Sequence, residues 1–111
     1  MGKELKEFKK LDSGKVRFDL LYGPFIEGMA AVMTFGAKKY DDDNWHKCGS
    51  MRRYFSALMR HMWAWWFKGE DIDPESGLHH AFHAGCSLMM LFGLQDMFPS
   101  TTDDRPEIIH E

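Results

Sequence analysis

Between Ser50 and Gly69, the residues Met51, Tyr54, Phe55, Leu58, Met62, Trp65 and Trp66 recur at spacings of three and four. That period puts apolar side chains on one face only if the segment is an α-helix. Ser50 is a suitable N-cap and Gly69 can close the C-terminal end in the left-handed region. A second helical stripe, Ile26, Met29, Ala30, Met33 and Ala37, follows Pro24, which suits a first helical turn, and ends at Lys38 and Lys39, which suit a helix C-terminus. Gly36 weakens its last turn by about 1 kcal/mol relative to alanine. A third helix is expected from Leu78 or His79 to Met97, apolar nearly all round, as a central or interface helix is, and stopped by Pro99.

These three helices make the chain an all-α protein, a small helical bundle in a single domain of 111 residues. The reading divides it into an N-terminal arm (1–23), a helical core (24–98) and a polar tail (99–111). Residues 3–11 form a short amphipathic turn, and Val16, Phe18 and Leu20 alternate with Arg17 and Asp19 as in an extended arm lying over the body or a neighbouring subunit. Ile108 and Ile109 offer the tail a docking point. Nine Phe, four Trp, three Tyr and nine Met are many for so short a chain. Part of that surface is expected between subunits, so that the bundle is completed by oligomerisation.

The net charge of −3 argues against a non-specific nucleic-acid binder. No apolar run reaches the length of a membrane span, and the charged N-terminus resembles no signal peptide. Cys48 and Cys86 form no C-x-x-C pair, which favours a reducing, cytoplasmic setting.

The densest chemistry lies in Gly69–His83, with four carboxylates (Glu70, Asp71, Asp73, Glu75) and three imidazoles (His79, His80, His83). Glu70 and Asp73 have the spacing of one helical face, where a divalent cation would relieve their repulsion. The same run also suits a solvated acidic loop. His80 and His83 repeat that spacing, as metal ligands, as supports for a carboxylate ligand, or as the polar start of an apolar helix. His79 points elsewhere and reads as surface. His61 shares a face with Tyr54, Leu58 and Trp65 and needs a partner, for which the acidic loop is the nearest source. Arg60 suits a phosphate clamp or a plain surface position. Lys38, Lys39, Tyr40, Asn44 and Trp45 gather what a nucleotide needs: cations for phosphates, an aromatic for stacking and an amide for a base edge. There is no phosphate-binding loop, no H-E-x-x-H and no His-Asp dipeptide.

In order, G-K-V-R-F-D-L-L (14–21), F-G-A-K-K-Y (35–40), N-W (44–45), R-H (60–61), G-E-D-I-D-P-E-S-G-L (69–78) and H-x-x-H-A (80–84) resemble the small phage-type dATP/dGTP diphosphohydrolases, relatives of the MazG-like all-α nucleotide pyrophosphohydrolases. The resemblance implies an oligomeric (dimeric or tetrameric), Mg²⁺- or Mn²⁺-dependent enzyme that cuts a deoxypurine nucleoside triphosphate to the monophosphate and pyrophosphate, in the host cytoplasm if phage-encoded. Glu70-x-x-Asp73 matches one motif of the MazG superfamily, whereas its E-E-x-x-E motif is missing, so a carboxylate cage would borrow from Glu27, Glu75 or the His pair. Glu70 and Asp73 are then expected to hold the metal, with His80 and His83 as ligands or their supports and His61 as a catalytic group. Lys38, Lys39 and Arg60 would meet phosphates, Asn44 with Trp45 would define the base or sugar pocket, Tyr40 would also bind substrate, and Lys15 and Arg17 would complete a site across a subunit boundary. The alternative is a non-catalytic nucleotide or metal sensor, or a helical oligomerisation module; incubation with nucleoside triphosphates and metal separates the three.

Overall fold

The computed structural model describes residues 7–107, whose regular structure is helical, with no strand among them. Helix α1 spans Gly23–Tyr40, α2 Met51–Trp66, α3 His80–Met97 and the short α4 Pro99–Thr102. Each of the three long helices lies where the periodicity places it. Helix α3 is the hub, packing against both α1 and α2.

The contact between α1 and α3 is made close by glycine. A Cβ on Gly28 would stand 2.4 Å from the Phe82 ring, and one on Gly85 would meet Phe25 at 3.0 Å. Helix α1 therefore presses backbone rather than side chain onto Phe82 and receives Phe25 back, the two rings meeting edge-on at 5.7 Å. Gly36, in contrast, has nothing within 4 Å of the space a Cβ would fill, and α1 runs through it unbroken.

Helix α2 owes its start to the end of the described chain. Ser50 Oγ donates to Asp104 Oδ2 rather than capping its own helix. Asp104 Oδ1 accepts the free Arg52 N–H at 2.9 Å, and Arg52 Nε donates to the Asp104 carbonyl at 2.5 Å. Asp104 thereby supplies the acceptor and negative charge that a helix N-terminus favours. Thr102, buried, donates its hydroxyl to the Leu94 carbonyl at 2.9 Å. Residues 99–104 are thus docked rather than a loose polar tail. Ile108 and Ile109 lie outside the described residues.

The N-terminal arm differs from its expectation. Residues 7–11 carry no helix, and Phe18–Leu20 form a 3₁₀ turn instead of an extended strand. Arg17 folds onto Asp19 at 2.7 Å and so favours the local turn, while Val16, Phe18, Leu20 and Leu21 remain exposed to solvent. Helix α2 also keeps an apolar stripe off the body: Phe55, Met59, Trp63 and Phe67, each four residues from the last, are exposed. The buried apolar residues among those described are only Val32, Met51, Ala84, Cys86 and Leu94, of which Cys86 and Leu94 are fully enclosed. The radius of gyration is 18.6 Å, against about 13 Å for a compact chain near this length.

Two glycine substitutions separate close approach from propensity. Gly28→Ala is expected to destabilise by about 1–3 kcal/mol through overpacking against Phe82. Gly36→Ala is expected to stabilise by up to about 1 kcal/mol. Urea unfolding of both variants checks the pair, and equal effects would overturn this account of the α1–α3 contact.

Candidate active site

The segment after α2 folds back onto the first turn of α3. Gly69 (φ 67°) turns the chain out of the helix, and the Glu70 N–H reaches the Ala64 carbonyl at 3.0 Å. Asp73 N–H donates to the Leu78 carbonyl and Gly77 N–H to the Asp73 carbonyl, both at 2.8 Å, with Gly77 also at positive φ. His80 N–H then donates to the Asp71 carbonyl at 2.8 Å. His79 is the N-cap of α3 rather than a free surface group: its Nδ1 accepts the Ala81 N–H at 2.9 Å and its ring meets Trp65 edge-on. This loop is not helical, so Glu70 and Asp73 do not share a helical face. Each carboxylate goes instead to a different imidazole.

Glu70 Oε1 meets His80 Nε2 at 2.7 Å. His80 Nδ1 lies 2.8 Å from His61 Nδ1 on α2, so the partner of His61 is another imidazole and not the acidic loop. Hydrogen-bonding capacity sets the tautomers. A neutral His80 donates from Nε2 to the carboxylate, which leaves Nδ1 to accept from His61 Nδ1–H. Both nitrogens of the buried His80 are then engaged, and its role is to hold Glu70 and orient His61. His61 Nε2 keeps its lone pair; it has no protein partner among the described residues and is not buried.

The second pair is organised by Ser76, three residues after Asp73. Its hydroxyl donates to Asp73 Oδ2 at 3.0 Å and accepts from Leu78 N–H at 3.1 Å and from His83 Nε2 at 2.6 Å. The single donor and both acceptor positions of that oxygen are used. His83 also stands 3.4 Å from Asp73 Oδ2 and stacks on His61 at 4.5 Å with planes 10° apart. In-plane lone pairs of parallel stacked rings do not converge, so His61 and His83 cannot both ligate one ion in this arrangement.

A cleft of about 490 Å³ opens beside these groups, lined in part by Lys39, Tyr40, Asn44, Trp45, Arg60, His61, Asp73, Glu75 and His83. Trp45 is wedged against α3: a Cβ on Gly93 would lie 2.5 Å from its ring. Lys39 Nζ bonds Glu75 Oε2 at 2.6 Å, tying the end of α1 to the acidic loop. Glu70 and His80 back the cleft through His61. Lys15, Arg17, Glu27 and Lys38 are not among the residues that line it. Tyr54 joins the lining beyond the expected set, and Glu75, one of the acids expected to complete a carboxylate cage, is part of it; Ser76 organises the site from behind the lining, and the D-x-x-S spacing of a side-chain-to-backbone turn was the available signal for it.

Among the described residues, no three His, Cys, Asp or Glu side chains converge as a metal cluster. The donors nevertheless suit a hard divalent ion that is completed by phosphate oxygens and water. Glu70 and Asp73 each have one oxygen tied inside the protein and one without a protein hydrogen bond.

Burial, followed by the neighbouring His83 and His80, pushes His61 down to about 4. Burial also lowers His83 against the pull of Asp73. For Asp73, burial opposes ionisation, but the Ser76 hydroxyl and amide outweigh it and hold the carboxyl below its usual range. The unfolded chain binds protons near pH 6.5 that folded His61 refuses until about 4, so stability falls as pH drops through that window. In metal-free buffer His61→Gln, which keeps a donor and cannot ionise, is expected to remove roughly 1–2 kcal/mol of the loss between pH 7 and pH 4, after allowance for a partly exposed ring. Urea titrations across that range check it; parallel pH profiles for the two proteins would refute it.

No helix among the described residues is long and apolar enough to cross a membrane. No solved structure matches the chain. A curated relative from Salmonella phage PMBT28, named dATP/dGTP diphosphohydrolase, is 40% identical over 96 residues, which are 86% of this chain and 32% of the relative. The chain thus spans about a third of the length of the curated relative it matches. The family described as dATP/dGTP diphosphohydrolase, N-terminal, matches residues 6–105, and the chain belongs to that family.

Proposed function

We propose that this chain carries a metal-dependent hydrolytic centre that cleaves dGTP or dATP to the monophosphate and pyrophosphate. The observation that carries the reading is one cleft in which Asp73, paired with His83, and the imidazole of His61 face cationic, amide and aromatic side chains, with Glu70 and His80 behind His61. The printed name of the phage relative supports the substrate class. Mg²⁺ or Mn²⁺ held by Glu70 and Asp73 would neutralise the phosphate chain.

The protein's own part is positioning and proton handling. His61 Nε2 accepts a proton from the attacking water as its oxygen bonds to the α-phosphorus and the bond to the bridging oxygen breaks, releasing pyrophosphate. The imidazolium charge on His61 is then shared through its Nδ1–H with His80 and, beyond it, Glu70. Arg60 and Lys39 meet phosphate oxygens, and Tyr40, Asn44 and Trp45 border the nucleoside. Glu27 lies outside the cleft lining and is given no role in this reading. Self-association belongs to the same reading, since a second copy would cover the Phe55–Met59–Trp63–Phe67 stripe.

Glu70→Gln and Asp73→Asn are each expected to lower dGTP hydrolysis by at least about a hundredfold, with a chelator abolishing the parent activity and Mg²⁺ or Mn²⁺ restoring it. Product separation after incubation measures this, and full activity in both variants would remove the metal assignment. Trp63→Glu is expected to shift sedimentation to a smaller species; an unchanged sedimentation coefficient would mean that the stripe is not the subunit contact.

A further inference from the structure

The cleft does not end at Arg60. It continues into an open groove of about 780 Å³ lined in part by Lys47, Arg52, Arg53 and Arg60, with no carboxylate in its lining. Tyr40, Asn44, Tyr54, Ala57 and Arg60 border both spaces, so the two form one trough. One end holds Asp73, Glu75, His61 and His83, and the other holds three guanidiniums and an ammonium.

Several features set this basic end apart from a solvated charge run. Arg52 and Arg53 occupy the first turn of α2, where the helix dipole disfavours cations and where the sequence supplies no acid. Arg52 is anchored by its Nε to the Asp104 carbonyl, and Arg60 by its Nη1 to Ser56 Oγ at 3.0 Å. Neither Lys47 nor Arg53 forms an ion pair among the described residues. Arg53, Ala57 and Arg60 follow one face of α2, which places the first and last about 10 Å apart along the helix. Asp104 offsets the charge of Arg52, but Lys47, Arg53 and Arg60 have no ion-pair partner among the described residues and repel one another, and a ligand with several adjacent negative groups removes that cost.

We propose that the basic arm of the trough, centred on Arg53 and Lys47, seats the terminal phosphates of the nucleotide and so selects triphosphates and fixes which bond lies over His61. This rests on the reading above. The α-phosphate sits at the Asp73–His61 end, the β- and γ-phosphates extend towards Arg53, and pyrophosphate is the product that the arm holds last. Arg53 and Lys47 are therefore specificity residues for chain length, whereas the base borders the Tyr40, Asn44 and Trp45 wall.

The test compares the parent with a Lys47→Gln/Arg53→Gln double variant, whose changes are solvent-exposed, and with Arg53→Lys. Calorimetric titration with inorganic pyrophosphate is expected to show at least about tenfold weaker binding in the double variant, with partial recovery in Arg53→Lys. The KM for dGTP rises in step, while inhibition by dGMP, which lacks the terminal phosphates, changes less than twofold. Equal pyrophosphate affinity in parent and double variant overturns the proposal even if dGTP is hydrolysed. Loss of dGMP and pyrophosphate binding to the same degree also overturns it, by showing a general electrostatic effect. If the parent binds pyrophosphate through these residues but hydrolyses no nucleotide, the phosphate seat stands and the hydrolase reading falls.

Discussion

Two imidazoles from different helices share one hydrogen at 2.8 Å, and the site depends on that contact. His61 on α2 and His80 on α3 can meet only when one is unprotonated at Nδ1. Glu70 decides which by holding the opposite nitrogen of His80. A carboxylate at the start of the loop thereby sets the direction of a lone pair on another helix. The Ser76–Asp73–His83 set repeats the device, with a hydroxyl in place of the second imidazole. Burial disfavours the charged form of His61 and of His83, which favours this chain of donors and acceptors.

The helices were legible because their signals are local and repeated. Met51 to Trp66 presents its apolar period directly, and Pro24, Gly69 and Pro99 mark boundaries that the structure respects. What the letters conceal is pairing across long separations. Nothing in the spacing of Glu70 and Asp73 reveals that a loop would direct them to two different histidines, because helical adjacency and hairpin adjacency give the same E-x-x-D string. Asp104 is similar: a carboxylate in a polar stretch carries no mark that it will cap a helix more than fifty residues earlier. In the arm, a two-residue alternation over a few positions is equally compatible with a strand and with a turn closed by Arg17 and Asp19, and the chain forms the turn.

Glycine explains how so few buried side chains hold α1 and α3 together. At Gly28 and Gly85 the helices approach through backbone and ring, so contact is gained without bulky interdigitation. Gly93 accepts the Trp45 indole in the same manner and fixes the 44–47 turn against α3. Trp45 is thus half structural wedge, half wall of the cleft. A residue chosen on composition as a stacking platform turns out to be restrained from behind, which narrows the poses it can offer a ring.

The capping of α2 by Asp104 has a consequence for the order in which this domain can be made. On a ribosome, α2 emerges long before residue 104, and during that interval its first turn has two arginines and no acceptor for the Arg52 N–H. The helix that carries His61 and the guanidiniums therefore lacks its cap until the segment with Asp104 arrives. Completion of the cleft is tied in this way to synthesis of the chain through residue 104, and a nascent chain stalled before that point would present basic groups without the carboxylate that caps their helix.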